Sequence, residues 1–139
     1  MEATVGRIDP EQAKKYFDAK LTYTMGPMEL KQLMDDKEDF TIIDVRSEDD
    51  FREGHIPGSI NLPEDQWATL KGVSKDRPNI IYCYSQACHL AAKAAAHFAG
   101  RGFPVQELEG GWKTWQEQDL GVEKETEKRR GFQTEATVQ

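Results

Sequence analysis

Cys83 is the residue whose setting is most suited to chemistry. Ile80-Ile81-Tyr82 reads as a short apolar strand, and the residues after it as an abrupt turn. Leu90-Ala91-Ala92-Lys93-Ala94-Ala95-Ala96-His97-Phe98 reads as an alanine-rich helix. A loop that feeds a helix N-terminus aims several backbone N–H groups at one point, and the helix dipole adds partial positive charge there. Such a nest favours an anion, so a thiol at its centre should ionise readily and serve as a nucleophile. The expectation is a Cys83 thiolate cradled by the backbone of Tyr84, Ser85, Gln86, Ala87, Cys88 and His89.

The neighbouring side chains divide into pocket and scaffold. Cys88 reads as a first-turn helix residue packed against a sheet. Its functional alternative is a partner thiol that takes over a group carried by Cys83 or closes a reversible disulfide with it. His89 lies at a helix start, where the dipole disfavours a cation, and reads as a neutral group lining the mouth. Tyr84 and Ser85 should point outward and shape the entrance. Asp44 and Arg46 fall at the end of another apolar run. There they either tune the charge of a pocket or form an ion pair that fixes the next loop, with Glu53 or Asp50 as partner for Arg46. Trp112 and Trp115 suit a core or a pocket wall, and Gly110-Gly111 suits a close approach to the active loop. His55, in a Gly-His-Ile-Pro-Gly turn, reads as a structural hydrogen-bonding group and His97 as a surface or interface residue. The histidines show no ligand-like spacing with the cysteines, so no metal site is expected.

Positioning these residues requires alternating elements. Asp9-Pro10-Glu11-Gln12 is a helix start, with Asp as cap and Pro at the first helical position. Ala13, Tyr16 and Phe17 share a face of this helix, which should end near Lys20, and Leu21-Thr22-Tyr23-Thr24 should be a strand. Gly26-Pro27 opens a second helix. Phe40-Thr41-Ile42-Ile43-Asp44-Val45 is a nearly continuous apolar run, as in a strand buried on both faces. Ser47 caps a brief helix that Gly54 ends. Ser59–Leu62 is a strand, Pro63-Glu64-Asp65 begins a helix carrying Trp67 and Leu70, and Pro104–Leu108 is a further strand before the tryptophan helix. The pattern predicts an α/β domain with a mostly parallel central sheet of about five strands and helices on both faces. Sites in such sheets form at the carboxyl ends of strands, where Cys83, Asp44 and Arg46 all fall. The expected organisation is a helical extension over residues 1–20, a domain over 21–120 and a disordered polar tail over 121–139.

A net charge of -7 over 139 residues argues against nucleic acid or an anionic membrane surface as partner. No apolar run approaches the roughly 20 residues that span a bilayer. The N-terminal residues lack the apolar stretch of a secretion signal, so a reducing cytoplasm is the expected compartment. Two cysteines make no disulfide framework.

Three segments carry a family resemblance. Ile43-Asp44-Val45-Arg46, followed by Phe51-Arg52-Glu53-Gly54-His55-Ile56-Pro57-Gly58-Ser59-Ile60-Asn61-Leu62-Pro63, resembles the first signature of rhodanese domains. Tyr82-Cys83 with its loop and helix resembles their active-site segment. Gly102-Phe103 through Leu108-Glu109-Gly110-Gly111-Trp112 and Trp115 resembles the second signature. The resemblance covers roughly residues 22 to 120 in the right order. It implies a single-domain sulfurtransferase without cofactor. The Cys83 thiolate would take the outer sulfur of thiosulfate, polysulfide or a persulfide and pass it to cyanide or a thiol, so the implied partners are small sulfur donors and thiol acceptors.

The loop departs from the commonest family pattern. Gln86 stands where many members have glycine, and Cys88-His89 where an arginine and a hydroxyl residue often close the loop. A glutamine there must avoid left-handed geometry or carry strain of about 1–3 kcal/mol. With no Lys or Arg in the loop, thiosulfate should be a poorer donor than polysulfide or a persulfidated thiol. The alternative function is a redox-sensing or non-catalytic module using a Cys83–Cys88 switch. A phosphatase, which needs an arginine to clamp phosphate, is the weaker alternative.

Overall fold

A computed structural model describes residues 5–125 of the chain. Helices α1 (Pro10–Tyr23), α2 (Pro27–Asp35), α3 (Glu48–Glu53), α4 (Leu90–Ala99) and α5 (Gly111–Glu117) alternate with strands β1 (Thr24–Met25), β2 (Thr41–Asp44), β3 (Ile60–Asn61), β4 (Asn79–Tyr82) and β5 (Val105–Leu108). All strand pairs are parallel, in the order β1-β5-β4-β2-β3, so β4 runs through the middle. No helix among the described residues is long and apolar enough to cross a membrane.

The two-residue period of a strand sorts the core into two layers. Ile43, Ile81 and Cys83 face α4, where they pack with Ala91, Ala94, Phe98 and Trp67. Ile42, Ile80 and Tyr82 face the other way, against Leu30 of α2 and Trp115 of α5. The alternation therefore puts the Cys83 side chain on the α4 side of the sheet and fixes which helix can reach it.

Local signals account for most element ends. The Asp9 carboxylate accepts from the Glu11 N–H, and the Ser47 hydroxyl accepts from the Asp50 N–H. Three expectations need correction. The first helix does not stop at Lys20 but continues to Tyr23, so a boundary at residue 20 falls inside it and the second element is reduced to Thr24–Met25. The Thr22 and Thr24 hydroxyls donate back to the Asp18 and Lys20 carbonyls, which prolongs the helix, and only Thr24 and Met25 find partners, on Glu107 and Leu108. Second, the Pro63 segment forms a 3-10 turn over Glu64–Thr69, ended by Leu70 in left-handed geometry at φ 55°, rather than an α-helix. The buried Trp67 indole N–H donates to the Leu62 carbonyl 3.0 Å away, an anchor that holds the tighter turn.

Third, the polar tail begins in contact with the domain. Glu123 pairs with His55 through two backbone hydrogen bonds of 2.9 Å, and its carboxylate accepts from the Gly58 N–H at 3.1 Å. Residues 121–125 are thus held, while the expectation for 126–139 lies outside the described residues. His55 is buried, with Nδ1 2.6 Å from the Phe51 carbonyl and its ring stacked on Phe51 at 3.7 Å.

Candidate active site: two thiols in one loop

Residues 83–89 leave the end of β4 and curl into α4. The curl is held from the α5 side: the Trp112 N–H donates to the Cys83 carbonyl at 2.8 Å and the Lys113 N–H to the Tyr84 carbonyl at 2.9 Å. Those bonds require backbone to meet backbone. Gly110 and Gly111 both have positive φ, and a Cβ on Gly111 would lie 2.7 Å from the Cys83 carbonyl oxygen. Gln86 sits outside the left-handed region, so it carries no such strain. Its side-chain oxygen instead accepts from the Gly110 N–H at 2.6 Å and ties the loop to α5. Cys88 N–H closes the turn onto the Ser85 carbonyl at 3.1 Å.

The amide nest exists, but two sulfurs share it. Backbone N–H groups of Ala91 and Ser85 act on the Cys83 sulfur, while those of Leu90 and Tyr84 act on Cys88. Cys83 is only 2% exposed, and its Sγ lies 3.5 Å from the Cys88 carbonyl and 3.9 Å from that of Ser85, both acceptors for a thiol proton. Burial, together with a hydrogen bond to the Cys88 side chain, pushes the Cys83 thiol up to about 11. For Cys88, burial raises the value less than the Leu90 N–H, the Cys83 thiol, the Tyr84 N–H and the Lys93 ammonium together lower it, and the net shift is downward. The expectation of a readily ionised Cys83 is therefore corrected: burial and the neighbouring thiol hold its proton on, while the groups around Cys88, which is partly buried and packs against the α4-side core as expected, favour its ionisation.

This ordering predicts a split alkylation profile. Iodoacetamide should label Cys88 first, with a midpoint shifted down from that of an ordinary thiol, and Cys83 only as pH approaches about 11. The stability signs are opposite. Cys83, raised on folding, contributes stability that is full below its unfolded value and is lost as pH climbs toward about 11. Cys88, lowered on folding, contributes stability above its unfolded value that is lost as pH falls through its folded one.

The other expected site residues separate into two groups. Tyr84 leans outward as expected, its hydroxyl donating to Asp50 at 2.6 Å; that bond, with a second from Ser47, lowers the Asp50 carboxyl. Gln86, Ala87 and His89 are exposed and Ser85 half-buried, at the mouth of the loop. Arg46 and Trp112 line a cavity of about 680 Å³ together with Tyr84 and Val122, and neither cysteine is among its walls. The Arg46 guanidinium lies 4.8 Å from the Trp112 ring centroid. Its carboxylate partner is Asp44, at 2.7 Å, rather than Glu53 or Asp50, and it also donates to the Gly54 carbonyl at 2.6 Å. Asp44 is wholly buried beneath it and does not reach the cavity.

Two residues escaped the sequence reading. Lys93, one turn into α4, bears on Cys88 electrostatically, and Lys113 lines a cavity of about 270 Å³ with Ser85, Gln86 and Ala87. For Lys93 the signal was nearness in sequence alone, since Cys88 precedes α4 and a residue five positions on does not share a helix face with it. For Lys113 there was none, because it arrives from another element.

A strand–loop–helix thiol site on a five-stranded parallel sheet defines a class, and comparison with known proteins places the chain in it. The model of the rhodanese-like domain matches residues 26–118, and the chain belongs to that family. It is 30% identical over 111 residues to a thiosulfate sulfurtransferase GlpE of Pseudomonas putida, covering 78% of this chain and 83% of the relative. It is 34% identical over 87 residues to the HTH-type transcriptional regulator Rv0324 of Mycobacterium tuberculosis; that match covers 60% of this chain and only 37% of the regulator. Among solved structures, the BH2092 protein of Bacillus halodurans superposes with a TM-score of 0.75 at 35% identity, covering 84% of this chain and 88% of that one.

Proposed function

We propose that this chain is a sulfurtransferase that accepts sulfane sulfur onto a cysteine of the 83–89 loop and delivers it to cyanide or a thiol. The observation that carries the reading is the pair of thiols held against four main-chain N–H groups at the end of the central strand. Such donors are already aimed when a sulfur anion forms, so they favour both the attacking thiolate and the persulfide anion. The GlpE relatives, named as thiosulfate sulfurtransferases, support the same chemistry. Cys83 and Cys88 are the reacting groups; Tyr84, Ser85, Gln86, Ala87 and His89 shape the approach. Lys93 and Lys113 place positive charge near a loop that has none of its own, which favours an anionic donor such as thiosulfate or polysulfide.

The test is release of sulfite from thiosulfate, or of thiocyanate when cyanide is present. The wild-type chain should release either product at a rate that depends on enzyme concentration, and the double variant Cys83→Ser/Cys88→Ser should fall to the uncatalysed rate. Equal release by both proteins, or none by the wild type with thiosulfate, polysulfide and a low-molecular-weight persulfide alike, would overturn the reading.

A second reading is supported by the closeness of the two cysteines, with Cys83 Sγ 3.5 Å from the Cys88 carbonyl oxygen, and by the match to part of a transcriptional regulator. In it the pair is a redox switch, and mild oxidation alone removes about 2 Da as the two thiols join.

A further inference from the structure

The cavity of about 680 Å³ beside the thiol loop has a wall from outside residues 26–118, the part of the chain that matches the family. Val122 and Lys124 line it, and both belong to the strap of residues 121–125. The strap is fixed twice: the Trp115 indole N–H donates to the Gly121 carbonyl at 2.7 Å, and Glu123 exchanges two backbone bonds of 2.9 Å with His55. Gly54 leaves room for this closure, since a Cβ there would lie 3.1 Å from the Trp112 ring and 3.4 Å from the Val122 side chain.

The polar groups around this space are of both signs. The Arg46 side chain is 3% exposed and lines the cavity. Its Nε and Nη2 are taken by Asp44 and the Gly54 carbonyl, while Nη1 makes no hydrogen bond among the described residues. Unmatched guanidinium N–H groups beside an open space are ready donors for a carboxylate. Asp44 already balances the Arg46 charge, however, and the Asp50 and Glu53 carboxylates line the same space. A simple anion would be repelled by those two acids, and a simple cation would leave Nη1 unmatched. A zwitterion suits both. Glu53 forms no ion pair among the described residues and can take an ammonium. Tyr84, Trp112 and Val122 offer apolar contact to the carbon chain between the charges.

We propose that this cavity holds the amino-acid headgroup of the sulfur acceptor, a peptide thiol, with its carboxylate on Arg46 Nη1 and its ammonium between Glu53 and Asp50. This rests on the sulfur-transfer reading above, with Cys83 as the carrier, and names the acceptor. The cavity adjoins the carrier: Tyr84 follows Cys83 in the chain, and the Trp112 backbone N–H donates to the Cys83 carbonyl at 2.8 Å. Its walls stop at Tyr84, one residue short of Cys83. The thiol therefore has to lie several bonds from the headgroup, as in a γ-glutamyl peptide. In the transfer the acceptor thiolate attacks the outer sulfur of the Cys83 persulfide. A sulfur–sulfur bond to the acceptor forms, the bond from that sulfur to Cys83 Sγ breaks, and Cys83 leaves with the electron pair. Thiol plus Cys83 persulfide becomes acceptor persulfide plus Cys83 thiol, with no net oxidation.

The experiment titrates S-methylglutathione, which keeps the headgroup but cannot accept sulfur, into the full chain by calorimetry. The wild type should bind it saturably. Glu53→Gln should weaken binding by about 10-fold, the scale of one lost charge-assisted contact. Val122→Trp, which fills the space from the strap, should remove it. In turnover with thiosulfate, the wild type should favour glutathione over 2-mercaptoethanol, which lacks the headgroup, by about 10-fold or more in kcat/KM, and Glu53→Gln should narrow that ratio. No saturable binding by the wild type, equal binding by Glu53→Gln, or no preference between the two thiols overturns the proposal. Thiocyanate formed from thiosulfate and cyanide by the same wild-type preparation then shows that the sulfurtransferase stands. Binding that responds to both variants, in a chain that passes sulfur to no acceptor, overturns the sulfur-transfer reading and the acceptor role with it.

Discussion

Asp44→Ala is expected to destabilise the chain by about 3–5 kcal/mol, because it leaves the Arg46 guanidinium buried without its counter-charge. Asp44 is 0% and Arg46 2% exposed, and the pair is joined by bonds of 2.7, 3.1 and 3.1 Å. Asp44 Oδ1 also accepts from the Arg46 backbone N–H at 2.8 Å, so the carboxylate fixes both the side chain and the turn that follows β2. Burial alone would lower the Arg46 value, but the hydrogen bond and charge of Asp44 outweigh it and the net shift is upward. Urea unfolding checks the prediction, and a loss under about 1 kcal/mol would mean the pair is effectively hydrated. The double variant Asp44→Leu/Arg46→Met should recover most of the loss, since apolar replacements of both partners remove the unpaired charge. It should fall short of wild type because the Gly54 carbonyl, which accepts from Arg46 at 2.6 Å, loses its donor.

Gly111→Ala should reduce sulfite release by about 100-fold, the size of effect expected when reacting groups shift by about 1 Å. The added Cβ would meet the Cys83 carbonyl oxygen at 2.7 Å, the Ser85 nitrogen at 2.9 Å and the Tyr84 carbonyl carbon at 3.1 Å. All three are backbone atoms of the thiol loop, so relief requires moving the loop itself. A φ of +61° adds strain of about 1–3 kcal/mol. Gly58→Ala is the control: its φ is +84°, yet nothing lies within 4 Å of the new Cβ. It should lose stability to a comparable degree and keep the wild-type rate of sulfite release. Matching rate losses in the two variants would show that global destabilisation, not displacement of the thiols, is responsible.

The order of elements was legible because its causes are local. Asp9 and Ser47 cap their helices as read, Gly54 ends α3, and the apolar runs at Ile42–Val45 and Ile80–Tyr82 are strands buried on both faces. The Gly110-Gly111 pair was read as permitting close approach, and it meets the loop at Cys83, Tyr84 and Ser85. The errors fall where a neighbour distant in sequence decides. Tyr23 remains helical because β5 offers pairing only to Thr24 and Met25. The Arg46 side chain turns back to Asp44, two residues away and on the buried side, instead of out to the acidic residues of α3. Glu123, in a stretch with no apolar pattern, is held by backbone bonds to His55 that composition cannot reveal.

From sequence alone come the alternation that makes a parallel sheet, the placing of two thiols in one strand–helix loop, and the glycines that let another helix press against it. These follow from side-chain period, capping and φ preference, which act over a few residues. Tertiary structure alone decides how readily each thiol ionises. That depends on how deeply each sulfur is buried and on which N–H groups, thiol and ammonium surround it once the sheet, α4 and α5 have closed, and desolvation has no counterpart in an unfolded string of residues.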